Sequence, residues 1–529
     1  MSGSEPSEQR AITRRAGIVA AGSLGSRLLG AVRDAVIAAS FPIAATDAFF
    51  VAWTIPNTLR QLLGEGAVSA AFIPVFAEVD ERQGRAAART FYARFGGTLL
   101  ALLVATSVLG MLTAPWWATA YAAGYRDNDA KFALTAQLTA LVFPYIALAG
   151  WAALQAGVLN ALGRFFVASF SASWLNVCFI AAPWVFVPLA HALGLPTIAA
   201  LALAALAGGV LQSLSQIPSV RAVGMASVPQ LGFRDPQVRA SLLRMAPLLV
   251  GTGIYQLNIL LSRLLASLLP EGAQSYLYYG QRLVEIPQGM LAVSVASAAL
   301  PTLSRLVQQD RLDDAKAALR HSLQLTLFVA IPASIALAAL ALPTVTMLFG
   351  RGAFGATDAT QTAHALVYMA LGVWAVSSAQ SVTRMFYALG DTRTPVLCSA
   401  VNLVSFLVVS VACIPALKHS AIALGNSAAA MIQLATLLFL LRRRTGSLGL
   451  RVLGGTALRA LSCALAMALA AQVVISGGAW ERGGNDPWNL AVYAFAVVTG
   501  LAVYLLASYL LRAPELDALV GALRRKQAP

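Results

Sequence analysis

Six arginines fall inside long hydrophobic runs of this 529-residue sequence: Arg27, Arg33, Arg60, Arg263, Arg282 and Arg384. An arginine at the centre of a membrane helix costs about 2.5–3.5 kcal/mol, so most of these side chains must face water or an anion rather than lipid. At ~1.5 Å of rise per residue, Arg27 lies roughly 16 Å and Arg282 roughly 12 Å from the nearer end of its predicted helix. Arg263 and Arg384 lie nearer helix ends, where a long stem can carry the charge to the interface. The deep acids are Asp34, Asp47 and Glu285, with Glu65 at a helix exit, and they leave the interior net positive. A guanidinium suits a phosphate because its planar fork donates two parallel hydrogen bonds and stays charged in a low dielectric. A diphosphate would engage several such forks. Asp34, seven residues after Arg27, and Glu285, three after Arg282, share helix faces with those arginines and are expected to hold them in place.

The elements that must position these residues are membrane-spanning helices. With 58% apolar and 11% charged residues and a mean hydropathy of +0.73, the chain cannot present a water-soluble surface. Its apolar runs predict fourteen helices, near 16–41, 46–64, 93–115, 133–158, 166–190, 196–218, 244–268, 274–300, 323–349, 361–389, 395–415, 421–441, 455–476 and 488–511. With the N-terminus in the cytoplasm, 26 of the 37 lysines and arginines fall in inner segments and 5 in outer ones (Arg126, Lys131, Arg351, Lys418 and Arg482). This bias puts both termini inside. The net charge of +15 comes from these scattered positions rather than from one basic stripe, so nucleic acid is not expected as a partner. Cys178, Cys398, Cys413 and Cys463 all sit in apolar segments, which predicts packed, reduced thiols. The first fifteen residues lack a short apolar core and cleavage site, so they read as a cytoplasmic tail rather than a signal peptide.

The sequence also carries an internal echo. Ser26-Arg27-Leu28-Leu29 recurs as Ser262-Arg263-Leu264-Leu265, Ile55-Pro56 as Ile286-Pro287, and Pro74 as Pro301. Trp151, Ala161-Leu162-Gly163 and Asn176 reappear in order as Trp374, Ala388-Leu389-Gly390 and Asn402. The expected organisation is therefore a tail at 1–15, a six-helix N-lobe at 16–220, a six-helix C-lobe at 244–441, helices thirteen and fourteen at 455–511, and a tail at 512–529. Two related halves around a polar interior suit alternating access, with the site between the repeats. Gly22, Gly25 and Gly30 beside Arg27, Pro56 beside Arg60 and Pro287 beside Arg282 give those helices places to bend.

Three stretches carry a family resemblance. SRLLGAVRDAVIAASFPIAATDAFFVAWTIPNTLRQLLGEGAVSAAFIPVFAE at 26–78, YYGQRLVEIPQGMLAVSVASAALPTLSRL at 278–306 and FYALGDTRTPV at 386–396 resemble the MurJ (MviN) family of bacterial lipid II flippases. The resemblance implies an all-α integral membrane protein of the multidrug/oligosaccharidyl-lipid/polysaccharide exporter superfamily. Two six-helix lobes would form a V around a central cationic cavity, and helices thirteen and fourteen would border a groove for the polyprenyl tail. It further implies an inner-membrane location, a role in peptidoglycan synthesis, lipid II as the cargo among other membrane lipids, and the cell wall synthesis and division machinery as protein partners. Carried over by motif, the substrate-binding residues are Arg27 and Arg33 in SRLLGAVRD, Asn57 and Arg60 in NTLRQ, and Arg282 in YYGQRLVE. Asp34, Asp47 and Glu285 are the acids of the same motifs. Arg263 and Arg384 match no motif position.

Other function classes fit less well. A flippase for a different polyprenyl-diphosphate-linked oligosaccharide shares the arginine requirement, whereas a MATE-like exporter would share only the two-lobe architecture and is expected to have twelve helices. An enzyme acting on polyprenyl diphosphates would need a nucleophile, a general base or an acidic metal site. His191, His321, His364 and His419 lie far apart with no metal-ligand spacing. No catalytic residue, metal or cofactor is expected. The resemblance also implies that some relatives bind sodium through carboxylate and amide groups in the C-terminal lobe. Here the seventh helix offers Asn258 but no acid, and 361–389 offers Gln380 and Arg384 with no acid after its first turns, which argues against such a site.

Overall fold

The structure, a computed structural model, describes residues 28–61, 69–251, 253–291, 297–518 and 521. Their regular structure is helix, with no strand among the described residues. The chain divides into two compact units, Met1–Leu268 and Leu269–Pro529.

In the first unit, α1 covers 28–40, followed by α2 (Ile43–Arg60), α3 (Ser69–Gln83), α4 (Arg85–Leu112), α5 (Ala114–Tyr121), α6 (Asp129–Val142) and α7 (Tyr145–Ala161). Next come α8 (Phe165–Ser171), α9 (Ser173–Ala181), α10 (Val187–Ala192), α11 (Ala199–Ala222), α12 (Pro236–Gly251) and α13 (Gly253–Ser267). The second unit contains α14 (Ala273–Leu291), α15 (Ser297–Gln308), α16 (Leu312–Ala339), α17 (Ala341–Phe349), α18 (Ala356–Ala370) and α19 (Val373–Ala388). It continues through α20 (Arg393–Leu417), α21 (His419–Thr445), α22 (Leu450–Ile475) and α23 (Pro487–Leu510).

Ten segments among the described residues are long and apolar enough to cross a membrane: 85–112, 129–161, 165–192, 199–222, 312–339, 356–388, 393–417, 419–445, 450–475 and 487–510. The predicted spans at 46–64, 244–268 and 274–300 are helical as α2, α12–α13 and α14, yet they do not reach that combination of length and apolarity. These are the helices that carry Arg60, Arg263 and Arg282. The predicted first helix lies partly outside the described residues.

Two connections expected to be loops contain helices. Within 65–92, α3 lines up Phe72, Val75, Phe76 and Val79, all buried, as a one-sided stripe that an unbroken apolar run would not reveal. Phe72 lies 5.4 Å from Phe76, 5.6 Å from Phe91 and 4.9 Å from Phe95 between ring centroids, which fixes α3 to α4. Likewise α15 buries Leu303 against the second core. The run at 166–190, expected as one helix, is α8, α9 and α10 joined by a π-helical stretch, Ala182–Phe186, that contains Pro183. A proline lacks the amide the ladder needs, and an extra backbone residue per turn absorbs the gap.

Small residues set the packing inside the second unit. Ala460, Cys463, Ala464 and Ala471 of α22 are buried, Gly500 of α23 lies against Met467, and Tyr504 donates to the Phe328 carbonyl of α16 at 2.6 Å. Leu458, Leu465, Leu469 and Val473, with Phe495, Val498 and Leu501, point outward as the lipid-facing stripe. All four cysteines are free, and three of them are buried.

The Gly390-Asp391-Thr392-Arg393-Thr394 turn between α19 and α20 shows why its sequence is as it is. Gly390 has φ +73°, which favours glycine, and Asp391 then caps α20 by accepting from the Arg393 and Thr394 amides and the Thr394 hydroxyl. Arg444 at the end of α21 donates to the same carboxylate. The Thr394 amide and hydroxyl, with smaller help from Arg444 and the Arg393 amide, hold Asp391 below the usual carboxylate range. A lowered folded value stabilises the turn above the unfolded pKa, and that stability is lost as pH falls through the folded value. The protection of 389–396 against hydrogen exchange, taken relative to the intrinsic rate at each pH, should therefore be high near neutrality and fall in acid. Asp391→Asn should make that protection pH-independent across the range; an unchanged acid response in the variant would mean that another group controls the turn.

Candidate functional site

In the first unit, Arg33 projects from α1 into a set of fixed polar and aromatic groups. Its Nε and Nη2 donate to the two Asp34 oxygens at 2.8 and 3.0 Å, and Nη1 donates to Asn176 Oδ1 on α9 at 3.0 Å. One turn beyond Asn176, the Phe179 ring centroid lies 5.8 Å from the guanidinium carbon. The Arg33 side chain is 13% exposed and that of Asp34 is 3% exposed, so both charges are largely removed from solvent and stabilise each other. The aromatic floor is itself ordered, with Phe179 packed edge-on against Trp53 at 5.4 Å and Trp53 against Tyr145 at 5.0 Å. Asp34 accepts from Arg33; its expected pairing with Arg27 falls outside the described residues.

The other motif residues of the first unit sit on α2. Arg60 Nε donates to Asn57 Oδ1 at 3.2 Å, one turn back along the helix, and both side chains are partly exposed. Asp47, near the start of α2, is buried and accepts from Lys131 Nζ of α6 at 3.2 Å. Lys131 also lies 4.5 Å from the centre of the Tyr125 ring. In the sequence, Lys131 stands out only as an outer-segment charge and Asn176 only as a marker of the internal repeat. Glu65 lies outside the described residues.

In the second unit, Arg282 of α14 repeats the pattern more openly. Nη1 donates to Glu285 Oε2 at 2.7 Å, Nη2 donates to the Tyr278 hydroxyl at 3.2 Å, and the guanidinium carbon stands 4.8 Å from the Tyr278 ring centroid. The side chains of Arg282 and Glu285 are 32% and 45% exposed, so this fork can exchange its carboxylate for another anion at small cost. The spacing of one turn brings Tyr278, Arg282 and Glu285 onto one face of α14. Each unit thus holds a guanidinium poised by an acid and an aromatic ring. Arg263 on α13 is partly exposed. Arg384 on α19 is also partly exposed, with a buried Nη1 that has no hydrogen-bond partner among the described residues. Among the described residues no cluster of three histidines, cysteines or carboxylates is placed to hold a metal.

Comparison with known proteins gives one consistent answer. The family profile described as "Lipid II flippase MurJ" matches residues 39–481. The chain is 34% identical over 429 residues to the "Lipid II flippase MurJ" of Burkholderia cenocepacia, covering 80% of this chain and 82% of that protein. It is 35% identical over 407 residues to the "Probable lipid II flippase MurJ" of Haemophilus influenzae, covering 74% and 79%. Among solved structures, "Lipid II flippase MurJ, inward closed conformation" matches with a TM-score of 0.76 at 22% identity, over 93% of this chain and 98% of that one. An inward-facing MATE family transporter of the MOP superfamily matches with a TM-score of 0.65 at 14% identity, over 80% and 95%. These two structural likenesses show the fold alone.

Proposed function

The chain belongs to the lipid II flippase MurJ family, and from that membership we propose how its residues move a lipid-linked peptidoglycan precursor across the bacterial inner membrane. The diphosphate of lipid II enters a cavity between the two lobes, 16–220 and 244–441, and is gripped by Arg27, Arg33, Arg60 and Arg282. Asn57 helps to orient Arg60. The polyprenyl tail remains in lipid beside 455–511 while the lobes rock and carry the headgroup to the outer leaflet. A charged headgroup crossing hydrocarbon unaided loses its hydration, and the guanidinium forks replace that water.

The observation that carries this reading is the shared design of Arg33 and Arg282. Each is held by a carboxylate, Asp34 or Glu285, that a diphosphate can displace and that can reclaim the fork on release. Asp47 has a different task in this scheme, since its pairing with Lys131 ties α2 to α6. A side-chain carbon at Gly124 would lie 2.2 Å from the Ser267 carbonyl oxygen, and the Gly124 amide donates to Ser267 Oγ at 3.1 Å, which joins the turn after α5 to the end of α13 within the first unit. Both termini are cytoplasmic in this reading, the cell wall synthesis machinery receives the product, and no covalent step occurs.

The test is transfer of fluorescent lipid II in proteoliposomes, with the recovered lipid weighed by mass spectrometry. Wild-type protein is expected to expose lipid II to an outer-leaflet quencher without changing its mass. A mass change would identify an enzyme, and transfer of an unrelated polyprenyl-diphosphate saccharide at the same rate would widen the cargo.

A further inference from the structure

The connection between α11 and α12 is mostly small and polar, yet it displays three large apolar side chains. Val228, Leu231 and Phe233 are 78%, 68% and 51% exposed. Met225 before them and Val238 after them are buried in the first core, so the connection is fastened at both ends and turns only its middle outward. That middle is pinned along α4. The Gln230 amide donates to the Ala93 carbonyl at 2.9 Å, the Gly232 amide donates to Thr98 Oγ1 at 2.8 Å, and a side-chain carbon at Gly232 would stand 2.7 Å from Arg94 Cβ.

What these side chains face follows from α4 itself. Thr98, Leu102, Ala105, Leu109 and Leu112 succeed one another at steps of three and four residues and so share one face. Thr98 is covered by the connection, whereas the four beyond it are exposed on a helix long and apolar enough to cross a membrane. That face meets lipid, and the connection lies across its Arg85 end. Depth agrees. About 20 helical residues cross the hydrocarbon core, and counting back that far from Leu112, beside the aromatic Trp116 and Trp117, ends near Tyr92. The seam at 93–98 therefore sits at the edge of the acyl region.

The charges fit the same surroundings. Residues 222–245 carry three arginines, Arg234, Arg239 and Arg244, against one acid, Asp235. Asp235 is taken by Arg94 at 2.9 Å and by the Gln237 and Val238 amides. Arg234 and Arg239 are exposed and belong to no ion pair among the described residues. An apolar patch beside surplus guanidiniums suits an anionic phospholipid, whose chains meet the one and whose phosphate meets the other.

We infer that 228–233 is an interfacial anchor. Val228, Leu231 and Phe233 are seated among the acyl chains of the leaflet at the Arg85 end of α4, and Arg234 and Arg239 bind the phosphates of its anionic phospholipids. This leaflet is the cytoplasmic one in the orientation proposed above. The anchor depends on α4 crossing the membrane and on no step of lipid II transport. It holds the chain between the two sequence repeats to the bilayer as well as to α4.

A fluorophore attached at Val228→Cys, Leu231→Cys or Phe233→Cys, one at a time, tests this in the full chain with its four native cysteines changed to alanine. Leu109→Cys on the α4 face and Asp313→Cys, whose side chain is 96% exposed, serve as the lipid and water references. In phosphatidylcholine vesicles, a lipid with a nitroxide on its acyl chain should quench the three connection sites as it quenches 109, and iodide should quench 313 alone. Nitroxide-labelled phosphatidylglycerol should reach half-quenching at about one-fifth of the concentration that labelled phosphatidylcholine needs, the worth of one arginine near an anionic surface. Arg234→Gln/Arg239→Gln should equalise the two lipids and leave the quenching itself in place. Quenching of all three sites by iodide and not by lipid, or equal quenching by the two lipids without the arginine changes, overturns the anchor. Loss of lipid quenching at 109 as well would remove the crossing of α4 and the anchor with it. Failed lipid II transfer beside intact quenching would count against the cargo alone.

Discussion

Arg33→Ala is expected to abolish lipid II translocation and also to lower thermal stability, and the two losses should separate when Asp34→Asn is added. The reason lies in the burial of the pair. Removing the guanidinium takes one charged partner from the buried Asp34 carboxylate, a change of the kind that costs about 3–5 kcal/mol. Asparagine at position 34 removes the buried charge that Arg33 balances and should recover most of the melting temperature. It cannot restore a fork for the diphosphate, so transport in Arg33→Ala/Asp34→Asn should stay roughly 100-fold below wild type, the equivalent of about 2.7 kcal/mol. Arg33→Lys keeps the charge but donates from a single point, and is expected to fall between the two. Proteoliposome transfer rates and melting curves on the same preparations decide the matter. Recovery of transport together with stability in the double variant would show Arg33 to be a scaffold residue.

The second large effect concerns Arg282 and differs in kind, because that pair is partly open to solvent. Arg282→Ala should reduce translocation by about 10- to 100-fold, as expected for the loss of a charge-assisted fork worth ~1.5–3 kcal/mol, with little change in melting temperature. Glu285→Gln removes the competing carboxylate and leaves the guanidinium in place beside Tyr278. Lipid II should then bind more tightly while turnover slows, since release loses the group that reclaims the fork. Faster turnover in Glu285→Gln would show that the acid only hinders loading and has no part in release. Arg384→Ala is the comparison expected to be milder, since it matches no motif position of the family.

Much of the architecture could be read from hydrophobicity because lipid demands long apolar runs, and the ten strongest spans correspond to predicted ones. The helices that carry Arg60, Arg263 and Arg282 were legible by their charges for the same reason that they are weaker spans. The interruptions were not: α4 ends at Leu112 and α5 restarts at Ala114 within one apolar stretch. Partners across the fold were equally hidden. Helical spacing points Asp34 toward Arg27, which lies outside the described residues, and gives no hint that Arg33 bends onto the very next residue. Lys131 and Asn176 stand 84 and 143 positions from Asp47 and Arg33, and periodicity along one helix carries no information about such pairings. Tyr278, by contrast, is four residues from Arg282, and the spacing that revealed Glu285 could have revealed it too.

The connection that follows α11 looks, by its polar composition, like a slack tether between the two sequence repeats. Its backbone contradicts that impression. Gln230 donates to the Ala93 carbonyl at 2.9 Å, Gly232 donates to Thr98 Oγ1 at 2.8 Å, and a side-chain carbon at Gly97 would sit 2.3 Å from the Gln230 oxygen. Arg94 completes the seam by bonding Asp235 at 2.9 Å. Anyone splitting this polypeptide into complementing fragments, or splicing in a reporter, should therefore pass over 230–235 and choose the turn at Gly224, where an added side-chain carbon would meet nothing within 4 Å.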